Sequence, residues 1–167
     1  KKSAQSHYDV MTLDESAALP GGQLASANCL LTLWTCGWAM ARGDAQFVAK
    51  GWGATPISEV VWRKVFASGA TATGPGYRVR TMHEPILVCT WGNPDHLALP
   101  SLFSGVRREH SRKPDEWYSI LVNRTPNALR RACLFSAGHE RPGLDCWGQS
   151  HRESGNGGET EESAQVD

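Results

Sequence analysis

The stretch Pro85-Ile86-Leu87-Val88-Cys89-Thr90-Trp91 is an almost wholly apolar run in the middle of the chain. A short continuous run of this kind is typical of a strand that is buried on both faces of a sheet. Three further runs share its character, at residues 29–35, 57–62 and 132–136. The sequence therefore predicts several buried strands, with residues 85–91 among the most apolar of them.

Segments with helical features separate these strands. The predicted helices cover residues 12–19, 38–50 and 114–122. Thr12 and Glu15 have the spacing of a capping box, Gly51 can stop the second helix, and Pro114 suits a helix start. Residues 67–77 read as a mobile loop of small side chains and residues 92–106 as irregular. Alternating strands and helices predict an α/β fold, with helices on both faces of a sheet.

In α/β sheets, ligands bind outside the carboxyl ends of the strands. The loops that follow Thr35, Lys64, Trp91 and Ser136 are therefore the expected ligand loops. Trp62 and Trp91 are the tryptophans expected near the site, because each ends a predicted strand. No glycine-rich dinucleotide or nucleoside-triphosphate motif follows any of the strands.

A basic run leads directly into the third helix. It reads Arg107-Arg108-Glu109-His110-Ser111-Arg112-Lys113-Pro114-Asp115-Glu116. A cationic approach to a helix N-terminus is a natural binding site for an anion. The alternative is a solvated charged loop that ends in a well-chosen helix start.

Composition indicates one domain followed by a polar tail. Of the 167 residues 40% are hydrophobic, and the formal net charge is zero, so no global field recruits nucleic acid. Residues 1–150 are predicted to form the domain, and residues 151–167, which are poor in apolar side chains, to be disordered. No apolar run is long enough to span a membrane.

The five cysteines predict a reducing environment. Their odd number and wide spacing do not indicate a disulfide framework, and no Cys-x-x-Cys pair favours a metal site. Cys29, Cys89 and Cys133 lie in apolar runs, where a thiol behaves as a small hydrophobe. The expected location is cytoplasmic.

Several segments, in order, resemble the MT-A70-like family of S-adenosylmethionine-dependent adenine methyltransferases, especially its bacterial and phage members. The segments are His7-Tyr8-Asp9-Val10, Leu31-Thr32-Leu33-Trp34-Thr35, Val61-Trp62-Arg63-Lys64, Glu84-Pro85-Ile86-Leu87, the basic run at 107–116, and Leu134-Phe135 with Trp147-Gly148. The resemblance implies a Rossmann-like methyltransferase sheet. It also implies methyl transfer from S-adenosylmethionine to the exocyclic amine of adenine in nucleic acid, DNA being favoured over RNA, without a metal.

Three departures from the family pattern stand out. The family's catalytic tetrapeptide, Asp-Pro-Pro-Trp, is absent from the 167 residues, so the chain is expected to start just downstream of it, without the N-terminal catalytic strand. Ala137 stands where relatives often carry Arg, and Gln149 stands where they carry Asn. The expected function is therefore adenine methylation that is inactive in this fragment. The alternative is a degenerate, non-catalytic subunit that binds nucleic acid or an active partner.

The resemblance also assigns roles to single residues. Lys113 matches the lysine that meets the cofactor's carboxylate, and Gly148 with Gln149 matches the contact to its nucleoside. His139 lies where relatives approach the ribose. The alternatives are a solvent-facing lysine and a plain loop histidine.

Three further residues match the target-base side of the family site. Tyr8 and Glu84 match positions near the base, and Arg108 matches a support for that loop or for a phosphate. Packing or a surface ion pair is the alternative for each of them.

Overall fold

A computed structural model of the protein describes residues 10–76, 78–109, 112–136 and 140–148. The tail predicted to be disordered, residues 151–167, lies outside these ranges. The chain divides into two compact units, residues 1–108 with 113–127 and residues 109–112 with 128–167. The prediction of one domain over residues 1–150 stays a prediction.

The first unit is built on a four-stranded mixed sheet. Its strands are β1 (Cys29–Trp34), β2 (Thr55–Val65), β3 (His83–Trp91) and β4 (Leu102–Val106), in the spatial order β1-β3-β2-β4. Strand β3 is antiparallel to both of its neighbours, whereas β2 and β4 are parallel. Three strands therefore run in one direction and β3 runs against them.

Strand β3 confirms the buried strand predicted at residues 85–91. Its residues 85–89 are all buried, and their side chains alternate between the two faces of the sheet. Ile86 and Val88 join a core that includes Trp117, and Leu87 and Cys89 join a second core of small alanine side chains. Strand β1 is an outermost strand of the sheet and its residues are only half-buried. Its apolar run therefore does not mark a strand that is buried on both faces.

The helices follow the prediction with two corrections. They are α1 (Leu13–Ala18), α2 (Gly37–Arg42), α3 (Asp44–Gly51) and α4 (Asp115–Arg124), with a 3-10 turn at Gly21–Leu24. The capping box of Thr12 and Glu15 is confirmed. The single helix predicted over 38–50 is wrong, because Gly43 adopts a left-handed φ of 81° and ends α2. Pro114 is the N-cap of α4 rather than its first residue.

The two cores lie on opposite faces of the sheet. On one face α4 packs its buried Trp117 against Val60, Trp62, Ile86 and Phe103. On the other face α3 packs Ala45 and Ala49 against Leu87 and Cys89. The predicted α/β class is thus confirmed, and the architecture is consistent with the Rossmann-like sheet that the resemblance implies.

Strand β4 corrects the prediction that residues 92–106 are irregular. Its five residues include Ser104 and Gly105, which carry no strand signal of their own. Pairing with β2 and burial of Phe103 supply the order that local sequence does not. Strand β2 is likewise longer than the predicted 57–62, and its Ile57 is exposed.

The second unit contains a two-stranded parallel ribbon. Its strands are β5 (Ala132–Leu134), which lies in a predicted run, and β6 (Asp145–Trp147), which was not predicted. Phe135 follows β5 with a positive φ of 58°, and the buried Gly148 follows β6. In the described part of the chain, no helix combines the length and apolar character needed to cross a membrane.

Candidate functional site

The last residues of β1, β2 and β4 and the first residues of β3 lie on the same side of the sheet, which we name the strand-end edge. Because β3 is reversed, its early residues lie beside the last residues of β1 and β2. Trp34 is opposite Ile86, and Trp62 is opposite Glu84. The loops after β1 and β2 therefore leave from the edge that was predicted for ligands.

Trp91 occupies the opposite edge of the sheet. It pairs with Cys29, the first residue of β1, so the loop after it leaves away from Glu84. The prediction that Trp91 lies near the site with Trp62 is therefore wrong. The physical reason is that β3 runs against β1 and β2, so its last residue lies where those strands begin.

Three charged side chains meet at the strand-end edge and form what we name the two-lysine cluster: Lys64, Glu84 and Lys113. The Nζ atom of Lys64 donates to Oε1 of Glu84 at 2.6 Å. The Nζ atom of Lys113 donates to Oε2 of the same carboxylate at 2.7 Å. Strand β2, strand β3 and the segment before α4 each supply one member.

Two tryptophan rings flank the cluster. The Nζ atom of Lys113 lies 5.0 Å from the ring centroid of Trp34, and that of Lys64 lies 5.1 Å from the ring of Trp62. The two rings meet edge to face with centroids 5.8 Å apart. Cation–π attraction of this kind holds an ammonium near an aromatic face and strengthens when water is partly excluded.

The cluster is largely shielded from water. The exposed fractions of the side chains are 14% for Lys64, 20% for Glu84 and 26% for Lys113. Burial alone would raise the pKa of Glu84, but the charges and hydrogen bonds of Lys113 and Lys64 outweigh it, and the pKa lies below its ordinary value. Two ammonium groups thus contact one ionised carboxylate.

Tight packing before α4 fixes the position of Lys113. The next residue, Pro114, is fully buried against Gly105 of β4, where an added Cβ would lie 2.7 Å from the Cβ of Pro114. The carbonyl of Gly105 accepts a hydrogen bond from Nε1 of Trp62 at 2.9 Å. The backbone from which the Lys113 side chain extends is therefore held firmly in place.

The start of α4 adds the positive end of a helix, whose first turn already holds the carboxylates of Asp115 and Glu116. Its N-cap, Pro114, supplies no side-chain hydrogen bond to the first turn. The positive end of a ten-residue helix consequently lies directly after Lys113. A lysine ammonium beside a helix start suits a carboxylate or a phosphate.

Arg108 and Gly148 take different places. Arg108 forms an exposed ion pair with Asp115 of α4, with Nη2 and Oδ2 3.3 Å apart. Gly148 belongs to the second unit, where its backbone lies so close to Ser136 that no side chain would fit. Ser136 N donates to the carbonyl of Trp147 at 2.9 Å. Tyr8, His139 and Gln149 lie outside the described residues.

Sequence reasoning missed two members of this arrangement, Lys64 and Trp34. A signal for Lys64 existed, since Trp62 and Lys64 are two residues apart on a strand and share one face. Trp34 is the last residue of β1, but no local pattern in the sequence distinguishes it from the tryptophans of the core. Among the described residues, no group of three or more metal-binding side chains is found.

Comparison with known proteins adds the family. The MT-A70 family model matches residues 1–150. The chain is 30% identical over 141 residues to an Arabidopsis thaliana protein described as "N(6)-adenosine-methyltransferase MT-A70-like". That alignment covers 79% of this chain and 19% of the relative, so the chain spans about a fifth of the relative's length. The family model matches nine-tenths of the chain, including the described residues. The chain therefore belongs to the MT-A70 family.

Proposed function

We propose that this chain is the ligand-positioning part of an S-adenosylmethionine-dependent methyltransferase that acts on the exocyclic amine of adenine in nucleic acid, with DNA favoured over RNA. The two-lysine cluster is the observation that carries the proposal. Family membership supplies the reaction class, and the relative's description names an adenosine N6 methyltransferase.

The residues fit the carboxylate end of the cofactor. Lys113 is partly exposed, lies beside a helix start, and contacts Glu84 within a cluster that contains two lysines. A carboxylate that approaches this ammonium gains a charge-assisted hydrogen bond in a partly desolvated setting. S-adenosylmethionine supplies, when bound, a methyl group on a sulfonium that a nucleophile can take.

The other members of the cluster position Lys113. Glu84 holds the lysine by one carboxylate oxygen while Lys64 holds the other oxygen. Trp34 limits the ammonium on its ring side. The lysine side chain is thus held in position before a ligand binds, so less side-chain conformational entropy is lost on binding.

The remaining roles are proposals from family membership. We assign His139, Gly148 and Gln149 to the cofactor's nucleoside, and Tyr8, Glu84 and Arg108 to the neighbourhood of the target base. A base in a duplex would have to be flipped out to reach such a site. The cytoplasm is the proposed location.

The 167 residues contain no Asp-Pro-Pro-Trp tetrapeptide. We therefore expect this polypeptide, on its own, to bind ligands without transferring a methyl group. A methyl-transfer assay with tritiated cofactor and an adenine-containing oligonucleotide tests this expectation, and incorporation above background would contradict it.

A second candidate is a non-catalytic subunit that binds nucleic acid or an active partner. The sequence departures at Ala137 and Gln149 favour it, because cofactor contacts erode once chemistry is lost. Calorimetry with S-adenosylmethionine distinguishes the two functions. Micromolar binding supports the first, and no binding at millimolar cofactor supports the second.

A sharper experiment compares ligands with and without the carboxylate. We expect Lys113→Met to weaken binding of S-adenosylhomocysteine about 10- to 100-fold, the value of a lost charge-assisted hydrogen bond. Binding of 5′-methylthioadenosine, which has no carboxylate, should stay unchanged. Lys50→Met, which alters an exposed lysine at the end of α3, is the matched control. Equal weakening of both ligands would overturn the assignment of Lys113.

A further inference from the structure

The ribbon of the second unit places two cysteines side by side. Strands β5 and β6 pair in parallel, with Cys133 directly opposite Cys146. Their flanking pairs are Ala132 with Asp145 and Leu134 with Trp147. Because side chains alternate along a strand, the two cysteines share one face of the ribbon and the flanking pairs share the other.

The spacing of the two cysteines is suitable for a covalent bond. Paired strands lie about 4.8 Å apart, and the Cα atoms of a disulfide are usually about 4.4–6.8 Å apart. Both residues carry reduced thiols in the structure. Both are also half-buried, so a small reagent in water can reach them, in contrast to the fully buried Cys89.

We propose that Cys133 and Cys146 form a reversible disulfide by exchange with a small-molecule disulfide such as oxidised glutathione. The inference does not depend on the proposed methyltransferase function, since it concerns the pairing of two strands alone. It also extends the sequence prediction, which treated Cys133 only as a small apolar side chain.

The chemistry balances in two exchange steps. The thiolate of one cysteine attacks a sulfur of oxidised glutathione, which forms a mixed disulfide and releases one glutathione thiolate. The thiolate of the second cysteine attacks the protein sulfur of the mixed disulfide, which forms the Cys133–Cys146 bond and releases a second glutathione. The two cysteines lose two electrons, and their two protons end on the two released glutathione thiols.

The bond would tie together a ribbon that is weak by itself. Each strand has only three residues, and an isolated two-stranded pair is marginal in water. A crosslink between opposite residues closes the segment from 133 to 146 and limits its opening. Amide hydrogens of β5 and β6 should therefore exchange more slowly in the oxidised chain than in the reduced chain.

The test uses the purified chain incubated with either oxidised glutathione or dithiothreitol. After alkylation, a glutamyl endopeptidase that cuts after Glu140 separates the two cysteines into different peptides. We expect non-reducing mass spectrometry to show these peptides linked in most of the oxidised sample. Dithiothreitol should release them.

Matched variants decide between pairing and general oxidation. Cys133→Ser and Cys146→Ser should each abolish the linked peptide and the slowed exchange, while Cys36→Ser should keep both. Separate glutathione adducts on the two cysteines, or a main crosslink to Cys36, would overturn the proposal. A Cys133–Cys146 link without slower exchange would overturn its stabilising effect.

Discussion

Lys64 and Lys113 bind opposite oxygens of a single carboxylate, that of Glu84, at 2.6 Å and 2.7 Å. The two lysines come from distant parts of the chain and meet only because β2, β3 and the start of α4 converge at one sheet edge. Removal of Glu84 would leave two ammonium groups close together without their shared counter-ion. A change of Glu84 therefore affects both lysines at once.

The first prediction concerns the charge of Glu84. Breaking a largely buried ion pair by removing one partner costs on the order of 3 kcal/mol, so Glu84→Gln should lower the free energy of unfolding by about that much at pH 7. The native pKa of Glu84 lies below its ordinary 4.5, so the unfolded chain binds this proton more readily. The contribution is present above the ordinary pKa and is lost as pH falls through the lowered native pKa.

Urea unfolding at several pH values from neutral to acidic checks this prediction. The difference between the wild-type chain and Glu84→Gln should be largest near neutrality and shrink at acidic pH. Glu59→Gln, which changes an exposed glutamate of the same sheet, should show little difference at any pH. A difference for Glu84→Gln that stays constant across the range would contradict the role of ionisation.

The second prediction concerns the close approach at Gly105. An alanine there would place its Cβ 2.7 Å from Pro114 and 2.9 Å from Nε1 of Trp62. Overpacking of this kind costs about 1–3 kcal/mol. Gly105→Ala should lower the unfolding free energy by that amount and, by displacing Pro114, weaken ligand binding at Lys113.

Gly37→Ala provides the matched control for the same added methyl. Nothing lies within 4 Å of a Cβ at Gly37, which starts α2. Thermal unfolding should show this variant unchanged or slightly more stable. Equal stability of the two alanine variants would disprove the packing argument at Gly105.

The third prediction compares two buried tryptophans. Nε1 of Trp62 donates a buried hydrogen bond to Gly105, whereas Nε1 of Trp117 has no hydrogen-bond partner among the described residues. Both phenylalanine variants lose ring volume, but only Trp62→Phe also loses a hydrogen bond. Trp62→Phe should therefore cost about 1 kcal/mol more than Trp117→Phe in chemical denaturation. The reverse order would mean that ring packing outweighs the hydrogen bond.

The fourth prediction concerns thiol reactivity. Burial raises the pKa of the Cys89 thiol to about 11, so almost none of it is thiolate at pH 8. Iodoacetamide should therefore label the half-buried Cys36 long before Cys89 in the folded chain, and unfolding in urea should equalise the two rates. Peptide mass spectrometry over time measures both. Fast labelling of Cys89 in the native chain would show that β3 opens readily.

Local patterns in the sequence predicted the elements that carry their own signals. The capping box of Thr12 and Glu15 and the apolar run at 85–91 are such signals, and both predictions are confirmed. Strand β4 was missed because Ser104 and Gly105 become a strand only when β2 pairs with them. The break at Gly43 was missed because one glycine inside a helical pattern usually costs too little to end it.

The candidate site was harder to predict because it depends on strand direction. The family resemblance identified two charged members of the site, Lys113 and Glu84. No local pattern in the sequence, however, indicates that β3 runs antiparallel to its neighbours. That reversal brings Lys64 to Glu84 and sends Trp91 to the far edge. Long-range pairing therefore decided which matched residues meet.

The reversal of β3 also determines which connections of the sheet border the two-lysine cluster. The chain between β2 and β3 leaves and re-enters at the edge that carries the two-lysine cluster, whereas the chain after β3 starts at the other edge. Part of this connection continues the sheet, because Lys64 N donates to the carbonyl of Met82 and Ala72 N donates to the carbonyl of Lys64, each at 2.9 Å. The residue that supplies one ammonium of the cluster is thus held on both sides of its backbone by the connection that follows it, so a change in this connection would act directly on Lys64.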